Sequence, residues 1–215
     1  MFRFTGLVAG VLVFAATGSA FAQDGKFKLG LRLGYAVPSG KVTGDTTVGG
    51  VTVSGEKLSD SISGQVPIWL DAGYMVTPNI LVGLYGQYGF ASVKNCDAGA
   101  SCSAHDIRFG VQGQYHIMPD ESVDPWLGVG FGYESLGVSE SEGALSIDGS
   151  ITGWEFLNLQ GGVDFQVANA FTVGPFLSFS LDQFSSVKSG GNSADINNTA
   201  LHEWITFGAK GTFGI

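Results

Sequence analysis

The sequence predicts an all-β fold: an eight-stranded antiparallel up-and-down transmembrane β-barrel. Three observations predict it. Eight segments alternate between apolar residues on one parity and polar residues or glycine on the other. The apolar parity collects the aromatics while the other collects the charges, and the connections between segments are alternately long and short. Successive side chains of a strand point to opposite faces, so each segment has one greasy face and one polar face.

The first segment sets Phe27, Leu29, Leu31, Leu33 and Tyr35 against Lys28, Gly30, Arg32 and Gly34. In the second, Val66, Ile68, Leu70, Ala72 and Tyr74 oppose Gln65, Trp69, Asp71 and Gly73, and in the third Val82, Leu84, Gly86, Tyr88 and Phe90 oppose Tyr85, Gln87 and Gly89. The fourth places Ile107, Phe109, Val111, Tyr115 and Ile117 opposite Asp106, Arg108, Gly110, Gln112, Gln114 and His116. Leu127, Val129, Phe131 and Tyr133 oppose Gly128, Gly130, Gly132 and Glu134 in the fifth. The sixth runs Leu157, Leu159, Val163 and Phe165 against Asn158, Gln160, Gly162 and Asp164, and the alternation breaks at Trp154 and Glu155, where a bulge is expected. The seventh sets Phe171, Val173, Pro175, Leu177, Phe179 and Leu181 against Thr172, Gly174, Ser178, Ser180 and Asp182. The eighth sets Ile205, Phe207, Ala209, Phe213 and Ile215 against Thr206, Gly208, Lys210 and Thr212.

Composition agrees with a lipid-facing surface. Charged residues make up 13 % of the 215, against about 25 % in a globular average, so a water-facing exterior would be short of charge. The 34 glycines suit a narrow barrel interior. A formal net charge of -9 without a cluster of Lys and Arg argues against nucleic acid as a partner. The N-terminus reads as an export signal, with Arg3 as n-region, Leu7 to Ala16 as h-region and Ala20-Phe21-Ala22 as a small-x-small cleavage site. The apolar run is shorter than the ~20 residues a membrane-spanning helix needs. Cleavage is therefore expected between Ala22 and Gln23, leaving 23–215 as one barrel domain.

The connections orient the barrel. Thr77-Pro78-Asn79, Pro119 to Val123 and Ala168-Asn169-Ala170 are short, whereas Pro38 to Asp60, Val93 to Ala104, Ser139 to Ser150 and Ser185 to Ala200 are mostly longer and polar. Short inner turns and longer outer loops are the asymmetry of outer-membrane barrels. With that orientation Phe27, Tyr74, Tyr115, Phe165, Phe171 and Phe213 lie near the inner ends, and Tyr35, Tyr88, Phe90 and Tyr133 near the outer ends. These form two aromatic girdles at the bilayer interfaces.

A lipocalin-type barrel, with the apolar parity inward, is the rival. The girdles, the low charge and the ending Phe213-Gly214-Ile215 oppose it. On that ending, on the stretch Pro125-Trp126-Leu127-Gly128-Val129-Gly130 and on the eight-segment plan, residues 26–215 resemble the small eight-stranded outer-membrane β-barrel family, that of the OmpA transmembrane domain and OmpX-like proteins. The terminal Ile departs from that family's preferred Phe. The resemblance implies a monomer in the bacterial outer membrane, surrounded by lipid and lipopolysaccharide and inserted by the barrel-assembly machinery. No periplasmic anchoring domain is expected after the barrel. The family implies envelope integrity, adhesion or environmental contact through the outer loops, with a narrow pore for ions or small solutes as the alternative.

An eight-stranded barrel is filled by its own side chains. The inward parity carries Lys28, Arg32, Arg108 and Lys210 with Asp71, Glu134, Asp164 and Asp182, and confined charges need partners. Arg32 with Asp71 and Arg108 with Glu134 are the expected pairs. The network reads either as a structural plug or as a gate that passes ions by exchanging partners. Charge reversal at Arg32 separates them, because unchanged conductance with lower stability would remove the gate.

Cys96 and Cys102 flank a short stretch of one outer loop, where an exported chain is expected to form a disulfide clip. The spacing is not Cys-x-x-Cys, and with His105 the pair leaves a tetrahedral zinc set incomplete. His105, His116 and His202 are scattered, so neither a metal cluster nor a cofactor is expected. His202 and Glu203 point to opposite faces, and no His-x-Ser step of the kind used by lipid A deacylases is present. The expectation is therefore no enzyme. Glu140, Glu142 and Asp148 read as a solvated acidic loop rather than a calcium cage.

Overall fold

Pairing of the last long strand with the first closes the sheet on itself. The computed structural model describes residues 26–48, 50–94, 96, 100–142 and 145–215, and the expected leader, with Ala22 and Gln23, lies outside them. In chain order the elements are β1 (Phe27–Gly40), β2 (Thr46–Val48), β3 (Val51–Val53), a helical turn α1 (Leu58–Ser61), β4 (Ile62–Met75), β5 (Ile80–Val93), β6 (Ser101–His116), β7 (Val123–Glu142), β8 (Leu145–Ala168), β9 (Phe171–Ser189), β10 (Asn192–Asp195) and β11 (Leu201–Gly214). The eight long strands β1, β4 to β9 and β11 each pair antiparallel with both neighbours around the barrel, and β11 pairs with β1 from Gly214↔Lys28 to His202↔Gly40. Every barrel strand therefore has two hydrogen-bonded neighbours, which a lipid-embedded backbone requires.

Burial follows parity. Leu29, Leu33, Leu70, Leu84, Val111, Leu127 and Leu177 are exposed, while Arg32, Arg108, Glu134, Gln112 and Lys210 are buried. This is the reverse of a water-soluble core, and it settles the rival inward-apolar barrel against itself. On the outer face, cross-strand register brings rings together: Phe27 meets Tyr74 at 5.0 Å, Tyr35 meets Phe207 at 6.1 Å, and Trp154 meets Tyr133 at 5.4 Å and Phe131 at 5.6 Å. Such pairs add to sheet stability beyond area burial.

The broken alternation in the sixth barrel strand, β8, is a bulge. Gly130 pairs with Asn158 and Gly132 with Glu155, so Phe131 faces two residues, Phe156 and Leu157. On the other side Glu155 pairs with Asp182 and Leu157 with Leu181, which leaves Phe156 as the extra residue. The bulge keeps both Trp154 and Phe156 on the outside and sends Glu155 inward, where it is fully buried.

Two of the expected outer loops are instead strand. β7 and β8 continue pairing to Glu142↔Leu145, across most of the span from Ser139 to Ser150, and Glu140 and Asp148 stand on this ladder rather than in a loop. β9 runs on to Ser189 and turns through Gly190 and Gly191 into β10. Those glycines have φ of 56° and 83°; a two-residue hairpin with both central residues at positive φ matches the strand twist and needs glycine or Asn there. The outer hairpins are thus stiff extensions of the barrel wall. The loops after β1 and β10 are tied together, with Gly44 N donating to Asn198 O at 2.7 Å and Asn198 Nδ2 donating to Asp45 O at 2.6 Å.

Cys96 and Cys102 are joined by a disulfide. Five residues separate them, so the chain-entropy gain is small, about 2 kcal/mol, and local to the β5–β6 loop and the start of β6, where Cys102 pairs with Glu140. Reduction is expected to leave the barrel folded by gel shift while speeding protease cleavage within that loop. Loss of the barrel itself on reduction, or two free thiols by mass spectrometry after oxidising export, would contradict this.

Candidate functional site

The lumen is divided into layers, each built by the inward residues of several strands. At the inner end lies a cavity of about 560 Å³, lined by Lys28, His116, Asp124, Asp164 and Lys210 among others. His116 Nδ1 lies 2.6 Å from Asp124 Oδ2, and Asp124 Oδ1 accepts from the Met118 backbone at 3.0 Å, which ties the β6–β7 turn to the wall. Lys28 is half-buried at this mouth, on the same side as Asp164.

Above the cavity sits a layer centred on Arg32. Its Nε and Nη2 donate to Asp71 at 2.7 and 2.9 Å, a two-point pairing that matches the guanidinium fork to the carboxylate. Its remaining protons reach Gln160 at 2.8 Å and Gln112 at 3.0 Å, and Gln112 in turn donates to Asp71 at 2.8 Å. Lys210 joins through Gln114 at 3.2 Å and Asp164 at 3.4 Å, and Trp126 Nε1 donates to Asp164 at 3.0 Å. Rings close the gaps. The guanidinium carbon of Arg32 is 4.9 Å from the Trp69 ring and 5.6 Å from Trp126, and Lys210 Nζ is 4.1 Å from Trp126. These cation–ring contacts are desolvated, the setting in which they are strongest.

Nearer the outer end is a second layer, centred on Arg108. Its Nε donates to Asp106 at 2.8 Å and its Nη2 to Glu134 at 2.6 Å; Nη1 donates to Ser180 at 2.9 Å and lies 3.5 Å from Glu155 and 3.7 Å from Asp182. Asp106 also accepts from Gln65 and Gln87, Glu155 from Tyr85 and Asn158, and Asp182 from Ser180. Glu134 further accepts from Trp204 Nε1 at 3.0 Å and lies 2.7 Å from His202 Nε2. Over this layer rests an apolar cap of Ala36, Leu58, Ile62, Ala104, Leu136, Phe184 and Trp204, with Leu58 delivered by the helical turn of the first outer loop.

Of the eight charges expected in the lumen, Arg32, Asp71, Arg108, Glu134, Asp164, Asp182 and Lys210 are buried there and Lys28 lines its inner mouth, with Arg32 meeting Asp71 and Arg108 meeting Glu134. Sequence reasoning left out Asp106, Glu155, Asp124 and Tyr85, and gave the tryptophans no part. Asp106 already had inward parity, and Glu155 was hidden by the bulge. Trp69, Trp126 and Trp204 are fully buried in the lumen, although tryptophan is ordinarily an interface residue in membrane proteins. Their parity in the alternating segments was the available signal. His105 stacks on Tyr88 at 5.8 Å, whereas His202 is brought to Glu134 and Asp182, the three offering donor atoms within 4.8 Å of one another. A scattered set of histidines therefore does not exclude a mixed donor cluster.

The family model of the outer membrane protein beta-barrel domain matches residues 7–202. Among solved structures the chain is similar to the outer membrane protein OprG from Pseudomonas aeruginosa, at 15 % identity over 90 % of this chain and 99 % of that one, with a TM-score of 0.52. It is similar also to AlkL, solved by solid-state NMR in DMPC bilayers, at 20 % identity over 89 % and 91 %, with a TM-score of 0.55. The outer membrane protease OmpT from Escherichia coli aligns at 10 % identity over 87 % and 97 %, with a TM-score of 0.45, too slight a likeness to bear on activity. Identities this low show a shared fold alone. No curated protein matches the sequence.

Proposed function

The chain belongs to the outer membrane protein β-barrel family and lies in the bacterial outer membrane, and from that premise we propose that it is a sealed barrel without enzymatic activity, whose work is structural or is done at the cell surface by its outer hairpins. The observation that carries this reading is the filling of the lumen. Arg32 with Trp69 and Trp126, then Arg108 with its four carboxylates, then the Leu58 and Phe184 cap are each buried and stacked along one axis. An ion crossing this path would have to break a buried two-point ion pair and then displace an apolar plug. Such steps are individually unfavourable by several kcal/mol.

The hairpins supply the rest. Wall extensions that pair out to Glu142 and Asp195 hold exposed polar residues away from the bilayer on ordered backbone, the arrangement in which loops present binding groups. On the same reading the molecule is a monomer, its lipid neighbours include lipopolysaccharide, and the barrel-assembly machinery inserts it. Phe213-Gly214-Ile215, at the end of the closing strand, supports the last of these.

Planar-bilayer conductance of the refolded chain tests the proposal, with folding checked by the different gel migration of heated and unheated samples. A folded, electrically silent barrel is expected. Discrete conductance steps would replace this reading with the narrow pore.

A further inference from the structure

The layer around Arg108 is unbalanced in charge. One guanidinium faces Asp106, Glu134, Glu155 and Asp182, and each of these carboxylates is fully buried. Even with His202 protonated, negative charge exceeds positive. The inner layer differs, because Arg32 and Lys210 meet Asp71 and Asp164 one for one. Buried carboxylates that lack a counter-charge are strongly disfavoured, so the outer layer has to acquire positive charge from outside the chain's own cations.

Its donors are also incompletely used. Asp182 Oδ1, Asp106 Oδ1 and His202 Nδ1 are buried and have no hydrogen-bond partner among the described residues. Glu134, Asp182 and His202 come from β7, β9 and β11, and each offers one donor atom within 4.8 Å of the others. Ligand atoms about a tetrahedral zinc, at about 2.0–2.2 Å from the metal, lie roughly 3.4 Å apart, so side-chain adjustment of about an ångström would bring these three into a first shell. One imidazole with two carboxylates suits a borderline transition cation better than magnesium or calcium, which prefer all-oxygen sets.

We propose that the outer layer of the lumen binds one divalent transition cation of the zinc class through Glu134, Asp182 and His202, with Arg108 facing Asp106 and Glu155, so that the excess negative charge of the layer falls from three to one. The apolar cap above and the Arg32 layer below close both approaches, so the ion is acquired as the barrel closes rather than by diffusion into the finished fold. Its role is to lock three strands together where the wall continues into the outer hairpins.

The test uses the untagged chain, refolded in detergent with Zn²⁺ or with a chelator, then freed of loose metal and assayed by elemental analysis. About one zinc per folded chain is expected, falling at least tenfold in Asp182→Asn and His202→Ala and unchanged in His105→Ala and His116→Ala. Refolding with Co²⁺ gives a second reading on the wild-type chain alone, which decides the matter if a variant fails to fold. The visible absorption of a tetrahedral imidazole–carboxylate site is expected. No retained metal would overturn the proposal and leave protons as the compensating charge. Equal retention by the two site variants, by the heat-unfolded chain, or a Co²⁺ spectrum of the hydrated ion would overturn it as well.

Discussion

Arg108→Ala is expected to destabilise the barrel by about 3–5 kcal/mol, enough to remove most of the heat-resistant folded form on a gel and to shift urea unfolding in lipid vesicles accordingly. Its side chain contacts Asp106, Glu134, Ser180, Glu155 and Asp182, contributed by β6, β7, β8 and β9. Alanine leaves four buried carboxylates with no guanidinium, and the loss of its packing over Trp204, 5.3 Å away, adds to the effect. Arg108→Lys retains charge but cannot span the same partners, so it is expected to recover only part of the loss. Adding Glu134→Gln to Arg108→Ala is expected to recover stability relative to Arg108→Ala alone, since one stranded charge is gone; the double-mutant cycle measures that coupling. A variant within about 1 kcal/mol of the wild type would mean that the acids are already neutralised by some other agent, which the metal assay would then identify.

Leu70→Arg is expected to cost about 2–4 kcal/mol in a bilayer, because it puts a cation on the lipid face near the middle of β4. Leu70 is 64 % exposed, an exposure that on a water-soluble protein would make substitution almost free. Its register partners are Leu31 on one side and Gly86 on the other, so no acid lies beside it for an arginine to reach. Arginine placed at Ser54, exposed beyond the membrane, is the control and is expected to change stability by less than about 0.5 kcal/mol. Equal tolerance at the two sites would mean that the Leu70 face does not meet lipid.

The lipid face was legible in the sequence because it needs only local information. Leu29, Leu31, Leu33 and Tyr35 share a parity wherever β1 sits in the sheet. The pairs Arg32–Asp71 and Arg108–Glu134 were legible for a related reason, since each joins neighbouring strands whose relative register the short inner turn or the alternating pattern restricts. The sequence failed where a single irregularity changed parity. Phe156 is one residue too many in β8, and it turned Glu155 from an outward position into a lumen acid. The outer loops were misjudged for a different reason. Ser, Gly, Asn, Asp and Glu dominate 139–150 and 185–200, a composition of low strand propensity, yet pairing with an already ordered neighbour carried the ladder through 139–150 and as far as Asp195.

Away from the bulge in β8, the sequence by itself determined which side chains face lipid and which face inward, and therefore that the chain closes into a small membrane barrel with a polar, charged interior. Only the tertiary structure decided who meets whom across that interior: His202 with Glu134, Tyr85 with Glu155, Arg32 over Trp126, Leu58 under the outer loops. The reason is geometric. Facing is set by a period of two along one strand, whereas contact across the lumen depends on strand tilt and the stagger accumulated around the closed sheet, and these are properties of all eight strands together.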